Sequence, residues 1–156
     1  MADTDLNASA LTVTITEALA VGHDNGSSNA LDFAQTYTHT FSGIINTSKR
    51  IVKLANTNIT EVATFSTDTA NGAFVKADVR YIRVTNLDGT DALQVGLDKE
   101  TSTAEAAYVS VAANSSIMFT GTTLEGTSDG TSLVDATALK VKGVASHQLE
   151  VFIASV

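Results

Sequence analysis

Histidine is the residue type in this chain best suited to acid–base or metal chemistry, and it occurs three times. The spacing supports neither role, because no His-x-His, His-x-x-x-His or His-Glu-x-x-His arrangement occurs. His39 alternates with Tyr37 and Phe41, which predicts a packed or interfacial ring. His23 lies in a Gly/Asn-rich segment and His147 at a turn, so we expect both to be exposed.

The other motifs of common enzyme sites are missing as well. The chain has no cysteine, which excludes disulfides, thiolate metal sites and cysteine nucleophiles. It contains no Gly-x-Ser-x-Gly elbow and no phosphate-binding loop that ends in Gly-Lys-Ser/Thr. We therefore predict that the protein is not an enzyme, and we assign no catalytic, cofactor-binding or metal-binding residue.

Residues 86–91, Asn-Leu-Asp-Gly-Thr-Asp, contain residue types that bind calcium. Asp91 stands where an EF-hand loop requires glycine, which argues against that motif. Asp88-Gly89 is a strong turn signal between two alternating segments. We interpret the segment as a hairpin turn and keep a divalent-cation site as the alternative.

Positive charge is concentrated in the middle of an acidic chain whose net charge is −8. Residues 1–48 carry five acids and no Lys or Arg, whereas residues 49–83 carry six bases and three acids. The overall charge disfavours nucleic acid as a partner. The six bases are either ordinary solvated charges or a basic face that docks on an acidic neighbour, such as another copy. On the second interpretation the partner-binding residues are Lys49, Arg50, Lys53, Lys76, Arg80 and Arg83.

The elements that must position these residues are strands, because apolar and polar residues alternate through most of the chain. Leu11, Val13 and Ile15 alternate with threonines, a pattern typical of a half-buried strand. Ten segments are predicted as strands: 11–16, 37–41, 49–55, 61–65, 79–85, 92–97, 108–112, 116–120, 138–142 and 148–154. The turn residues between several of them predict hairpins, and Asp88-Gly89 gives the strongest of these signals.

These segments predict one all-β domain over residues 1–156, an antiparallel β-sandwich of jelly-roll type with about nine or ten strands. Barrel-like closure is the alternative. At most one short helix is expected, at 98–107, with a second candidate near 30–34. Segments 22–29 and 121–132 are predicted loops.

The strand edges of such a domain need protection, and this chain lacks the usual means. It has no proline, and its charged residues make up only 17% of the sequence. We therefore expect the edges to be paired, either by closure or by neighbouring subunits. The acidic N-terminus has no secretory signal pattern, and no apolar stretch is long enough to span a membrane, so we expect no membrane partner.

Three segments of the second half carry a resemblance to a known class: 81–97 (YIRVTNLDGTDALQVGL), 115–120 (SSIMFT) and 149–156 (LEVFIASV). Together, over roughly residues 79–156, they resemble small all-β virion proteins of tailed bacteriophages, including decoration (cement) and tail-accessory proteins. The resemblance implies a structural role, symmetric copies and no catalytic residues. Residues 1–78 add only compatible threonine-rich strands.

These observations lead to two hypotheses. The first is a virion protein that attaches to capsid or tail subunits and stabilises or decorates the particle, as a homo-oligomer for which a trimer is one option. Its predicted location is the virion, and no cofactor is expected. The second is a receptor- or carbohydrate-binding β-sandwich, such as an adhesin or fibre-tip module.

Overall fold

The computed structural model describes residues 9–21, 31–69, 72–99, 107–120 and 136–156. The described residues form eleven strands, one more than the ten predicted segments, and include a turn of 3₁₀ helix at Lys76–Asp78. The strands are β1 Ser9–Val21, β2 Leu31–Ile44, β3 Asn46–Lys53, β4 Thr60–Ser66, β5 Phe74–Val75, β6 Val79–Asn86, β7 Leu93–Lys99, β8 Ala107–Val111, β9 Ser116–Thr120, β10 Ala136–Lys142 and β11 Gln148–Ser155. The predicted all-β class is therefore confirmed.

The strand order of the two larger sheets is that of a jelly roll. One sheet has four strands in the order β3-β11-β6-β9, and the other has five in the order β5-β4-β10-β7-β8. When the two-residue β5 is left out, these two sheets contain eight strands. In chain order, from β3 to β11, they can be lettered B to I. They then form sheets B-I-D-G and C-H-E-F, which is the double-sheet arrangement of jelly rolls. The predicted jelly-roll sandwich is confirmed.

The core lies between the two sheets and is built from the inward-facing positions of each strand. In β6, Ile82 and Val84 point inward, and in β10 Leu139 and Val141 face them from the other sheet. All four side chains are completely buried. Burial stabilises each of them by about 1.5–3 kcal/mol. The alternation in the sequence places these apolar side chains on the buried face of their strands.

The predicted hairpins are wrong, because the two strands of each lie in different sheets. The turn that contains Asp88 and Gly89 carries the chain from β6 in one sheet to β7 in the other. The predicted pairs β3/β4, β8/β9 and β10/β11 also divide between the sheets. Turn residues specify that the chain reverses, but the partner of each strand depends on which faces must be buried together.

The helix predicted near 30–34 is also wrong, because residues 31–34 belong to β2. Their pairing with β1 overrides the weak helical preference of the alanines. Most of the second predicted helix, at 98–107, and the predicted loops at 22–29 and 121–132 lie outside the described residues.

One end of the sandwich is organised by two buried polar side chains, Asn86 and His147. His147 is 0% exposed, so the prediction of an exposed ring is wrong. Its Nε2 lies 2.6 Å from Oδ1 of Asn86, while its Nδ1 has no hydrogen-bond partner in the described part of the chain. A Cβ on Gly143 would lie 2.8 Å from that Nδ1, so glycine is what lets the turn close against the ring.

Asn86 connects His147 to two further segments. Its side-chain nitrogen donates to the carbonyl oxygens of Asp91 (2.8 Å), Val111 (3.2 Å) and Ala112 (3.1 Å). Its Oδ1 accepts the backbone N–H of Asp88 at 3.0 Å. The network therefore joins the β6–β7, β8–β9 and β10–β11 connections, which the sequence does not place near each other.

The Asp88 carboxylate is the centre of the β6–β7 turn. Its Oδ1 accepts the backbone N–H groups of Asp91 and Thr90 at 3.0 and 2.9 Å, and the Thr90 hydroxyl at 3.0 Å. These donors, led by the Asp91 N–H, lower the pKa of Asp88 to about 2. The predicted turn is thus present, although it joins two sheets and not two strands of a hairpin.

Candidate assembly interface

β1 and β2 form a separate two-stranded antiparallel ribbon, which we call the arm. Neither strand joins the two larger sheets. The register runs from Leu11 opposite Phe41 to Val21 opposite Leu31, with an irregularity near Ser9. At thirteen and fourteen residues, the arm strands are the longest described.

The two faces of the arm differ sharply in chemistry. One face is an apolar strip made of Leu11, Val13, Ile15, Tyr37, His39 and Phe41. The other face carries cross-strand threonine pairs whose hydroxyl oxygens lie 3.4–3.5 Å apart: Thr12–Thr40, Thr14–Thr38 and Thr16–Thr36. Such cross-strand pairs stabilise a ribbon and fix its register. The alternation predicted for both segments is confirmed.

The base of the arm packs on the outer face of the four-stranded sheet. Phe41 and Ile44 are buried there in a small cluster with Tyr81 and Ala154. The Tyr81 ring is 2% exposed and lies between two other rings, with centroid distances of 5.9 Å to Phe41 and 5.9 Å to Phe152. This burial raises the pKa of the Tyr81 hydroxyl. The cluster anchors the arm.

Beyond this anchor, the arm side chains at residues 14–18 and 34–40 are exposed. Ile15 is 39% exposed and Tyr37 is 49% exposed, although both continue the apolar strip. The next side chains on each strand, from Thr16 to Ala18 and from Ala34 to Thr36, are exposed as well. A two-stranded ribbon is at best marginally stable alone in water, and both of its edges offer unpaired backbone groups. The arm therefore has the properties of a segment that another protein covers.

A cleft of about 670 Å³ opens along the apolar strip, between the arm and the body. Ile15, Tyr37 and His39 line it from the arm, and Arg80 and Thr120 line it from the body. The His39 ring meets Phe41 edge-on at a centroid distance of 4.4 Å, but the residue is exposed, so it is not a core histidine. Of the two predicted roles, packed or interfacial, the interfacial one stays a prediction. A hydrogen bond holds the Arg80 side chain in place, because its Nη1 donates to the carbonyl oxygen of Ala77 at 2.5 Å.

The structure brings two of the six predicted partner-binding residues together and separates the others. Lys49 and Arg83 both contact the Glu150 carboxylate, with nitrogen–oxygen distances of 3.1 and 2.7 Å. These two cations, Arg83 first, lower the pKa of Glu150. The Arg83 guanidinium also lies 5.8 Å from the centre of the Phe152 ring. The single carboxylate offsets one of these two positive charges, so this part of the basic segment is partly neutralised within the chain.

The remaining cations lie in different settings. Arg50 and Lys53 are exposed on β3, an edge strand, and form no ion pair with any described residue. Lys76 is 4% exposed and is the first residue of the 3₁₀ turn. Arg80 lies in the cleft. Of the six predicted positions, the β3 edge offers the most accessible uncompensated charge.

Two further edges lack charge altogether. β8 and β9 end the five- and four-stranded sheets, and the four residues 112–115 connect them. Neither strand contains a charged residue, while Val109 and Met118 are exposed on them. Uncharged edges favour pairing with another chain. In the described residues the sheets remain open here, so closure into a barrel does not protect these edges.

Clustered ionisable groups of the kind that hold metals are not found in the described ranges. No group of three or more His, Asp or Glu side chains there could hold a metal ion.

Asp98 and Lys140 form an ion pair between the neighbouring strands β7 and β10. No helix in the same ranges is long and apolar enough to cross a membrane.

The exposed half of the arm is the feature that the sequence did not reveal. Segments 11–16 and 37–41 were predicted as half-buried strands, and nothing in a single segment says whether its apolar face is covered. The available signal is the matched Thr-x-Thr-x-Thr pattern in both segments, which now proves to be a cross-strand register.

Comparison with known proteins adds little to this picture. The sequence matches no protein-family model, and a search of curated proteins gives no match. A solved structure described as "Bacillus endospore appendages form a novel family of disulfide-linked pili" aligns with a TM-score of 0.44 and 15% identity. The alignment covers 72% of this chain and 87% of the other. The likeness is loose, and our assignment of the fold rests on the strand order alone.

Proposed function

We propose that this chain is a non-enzymatic structural subunit that attaches to neighbouring subunits of a larger particle. The observation that carries the proposal is the arm, whose apolar strip is exposed at Ile15 and Tyr37 and whose strands pair with each other but with no other described strand. The uncharged β8 and β9 edges give a second place where neighbours can bind by main-chain hydrogen bonds.

The particle we propose is the virion of a tailed bacteriophage, with capsid decoration favoured over a tail or fibre component. The support is the resemblance of residues 79–156 to small all-β virion proteins, together with a jelly-roll fold, which viral capsid proteins use. Lectin domains use the same fold, so the fold alone does not decide between the two hypotheses.

The proposed docking surface for an acidic capsid or tail partner is the β3 edge. Arg50 and Lys53 are accessible there without an internal ion pair, and Ile51 beside them is 65% exposed. Lys49 is on the same strand but already pairs with Glu150, so its contribution to an external partner is smaller. Strand alternation puts Lys53 on the same face of β3 as Ile51 and Arg50 on the other face, so each face of this edge carries a cation suited to the polar rim of an interface.

We expect the double charge reversal Arg50→Glu and Lys53→Glu to weaken attachment to capsids by about tenfold or more, because like charges across an interface repel. Cosedimentation of the purified chain with capsids that lack it measures the attachment. The control is Lys142→Glu, an exposed lysine on β10. Attachment that is equal for the double variant, the control and the unmodified chain would show that the β3 edge is not the docking surface. Cosedimentation of none of them would contradict the virion assignment.

The cleft favours a second candidate function, recognition of a carbohydrate or receptor. Tyr37 and His39 offer ring faces there, and Arg80 and Thr120 offer polar groups. A chain that stays monomeric, binds no capsid and binds an oligosaccharide with Tyr37 in the contact would support this candidate over the structural role.

A further inference from the structure

We propose that the arm binds the arm of a second copy of this chain, so that two copies associate about a twofold axis and each arm lies in the cleft of the other. This inference rests on the proposed structural role and names one of the partners. It is carried by the apolar strip, the cleft beside it and the placement of two opposite charges.

The apolar strip is left half covered by its own chain. Its inner part, at Leu11 and Phe41, packs against the body, whereas its outer part, at Ile15 and Tyr37, faces the cleft. A second apolar ribbon face would continue the same packing, with the two ribbons about 10 Å apart as in stacked sheets. A twofold axis suits this arrangement, because the same strip then serves both copies.

The charges on this surface are complementary between the two ends of the arm. Glu17 lies on the same face as Ile15, two residues farther from the body, which is about 6.8 Å along a strand. It is exposed and makes no ion pair with any described residue. Arg80 lies near the base of the arm, on the body side of the cleft.

Antiparallel stacking of two arms places the far end of each arm over the base of the other. Glu17 of each copy is then directed toward the partner copy's Arg80, and the pair occurs twice because of the twofold axis. The charge distribution of the sequence fits this arrangement, because residues 1–48 carry only acids and residues 49–83 are mainly basic. Stacking in the parallel direction would instead place like charges together.

The expected association is weak, since a single ribbon face is smaller than a standard protein interface. In a particle, the weak contact would be reinforced by the other attachments of each subunit. A test must therefore detect a specific but short-lived contact between free copies.

Crosslinking through a single engineered thiol provides that test, because the natural chain has no cysteine. We expect Tyr37→Cys, on the apolar strip, to give dimers with a bis-maleimide of about 10 Å span, matching the spacing of stacked sheets. The matched control is Thr36→Cys, the neighbouring exposed residue on the threonine face, whose yield should be at least about fivefold lower. Adding Glu17→Lys to Tyr37→Cys should reduce the dimer yield several-fold, as should high salt.

Equal crosslinking of the Tyr37→Cys and Thr36→Cys variants, or a yield that Glu17→Lys leaves unchanged, would overturn the inference. Cosedimentation of the same variants with capsids separates this result from the proposed function. Capsid attachment without arm-to-arm crosslinking would leave the structural role standing and reject only the second copy as the partner of the arm.

Discussion

Replacement of Asn86 by alanine is expected to lower the free energy of unfolding by about 3–5 kcal/mol. The side chain is completely buried, and its loss leaves the carbonyl oxygens of Val111 and Ala112 and the His147 ring without their donor or acceptor. A buried polar group that loses its partner keeps the full cost of its desolvation, about 1–3 kcal/mol each. The effect should exceed that of a surface asparagine because several such groups depend on one amide.

Equilibrium unfolding in urea measures this change. The control is Asn56→Ala, which removes an exposed hydrogen bond from the Asn58 backbone N–H at 2.8 Å and should cost less than about 1 kcal/mol. A loss below about 1 kcal/mol for Asn86→Ala would mean that the network at this end of the sandwich is not needed for stability.

The second large effect is expected at Tyr81, which joins the arm to the body. Tyr81→Ala should cost about 3–4 kcal/mol, because it removes a buried ring that packs against Phe41 and Phe152. It should also loosen the base of the arm, since Phe41 and Ile44 share their buried cluster on the sheet with this ring. We therefore expect the variant to be impaired in attachment to a particle even at temperatures where the sandwich stays folded.

Tyr37→Ala is the matched control, because it deletes the same ring from a position that is 49% exposed. It should change the free energy of unfolding by no more than about 0.5–1 kcal/mol. Thermal unfolding followed by near-ultraviolet circular dichroism compares the two variants. Similar losses of stability for both would show that the arm is not anchored through Tyr81.

The class and layering of the fold could be predicted from the sequence because alternation reports directly on burial. Leu11 to Thr16 and Val79 to Thr85 are both strands, as their patterns indicate. The pairing of strands could not be predicted in the same way. β11 lies between β3 and β6, far from both in sequence, and no local signal records such a contact.

The buried network of Asn86 and His147 could not be predicted from the sequence either. His147 sits in a turn, and turn residues are usually exposed, so a buried ring was not expected. Its burial depends on Asn86, sixty-one residues earlier in the chain, and on a glycine at position 143 that leaves room for the ring. Only the jelly-roll topology brings these three residues to one end of the sandwich.

The sequence predicted that strand edges bind neighbouring subunits, but it did not predict the exposed arm. The prediction that strand edges need neighbours fits the open, uncharged β8 and β9 edges. The six basic residues remain a predicted docking set, of which Arg50 and Lys53 are the most accessible. The arm was missed because a sequence pattern shows that a strand has an apolar face but not whether the rest of the chain covers that face.

Amide hydrogen exchange along the arm tests the central claim most directly, that this protein functions by having its arm covered by a neighbour. The measurement compares residues 12–18 and 34–40 in the free chain and in the purified particle, with buried strand β11 as the internal reference. We predict exchange in the arm that is fast in the free chain and at least about tenfold slower in the particle, while β11 is protected in both. Arm amides that exchange at the same rate in both states would contradict the account.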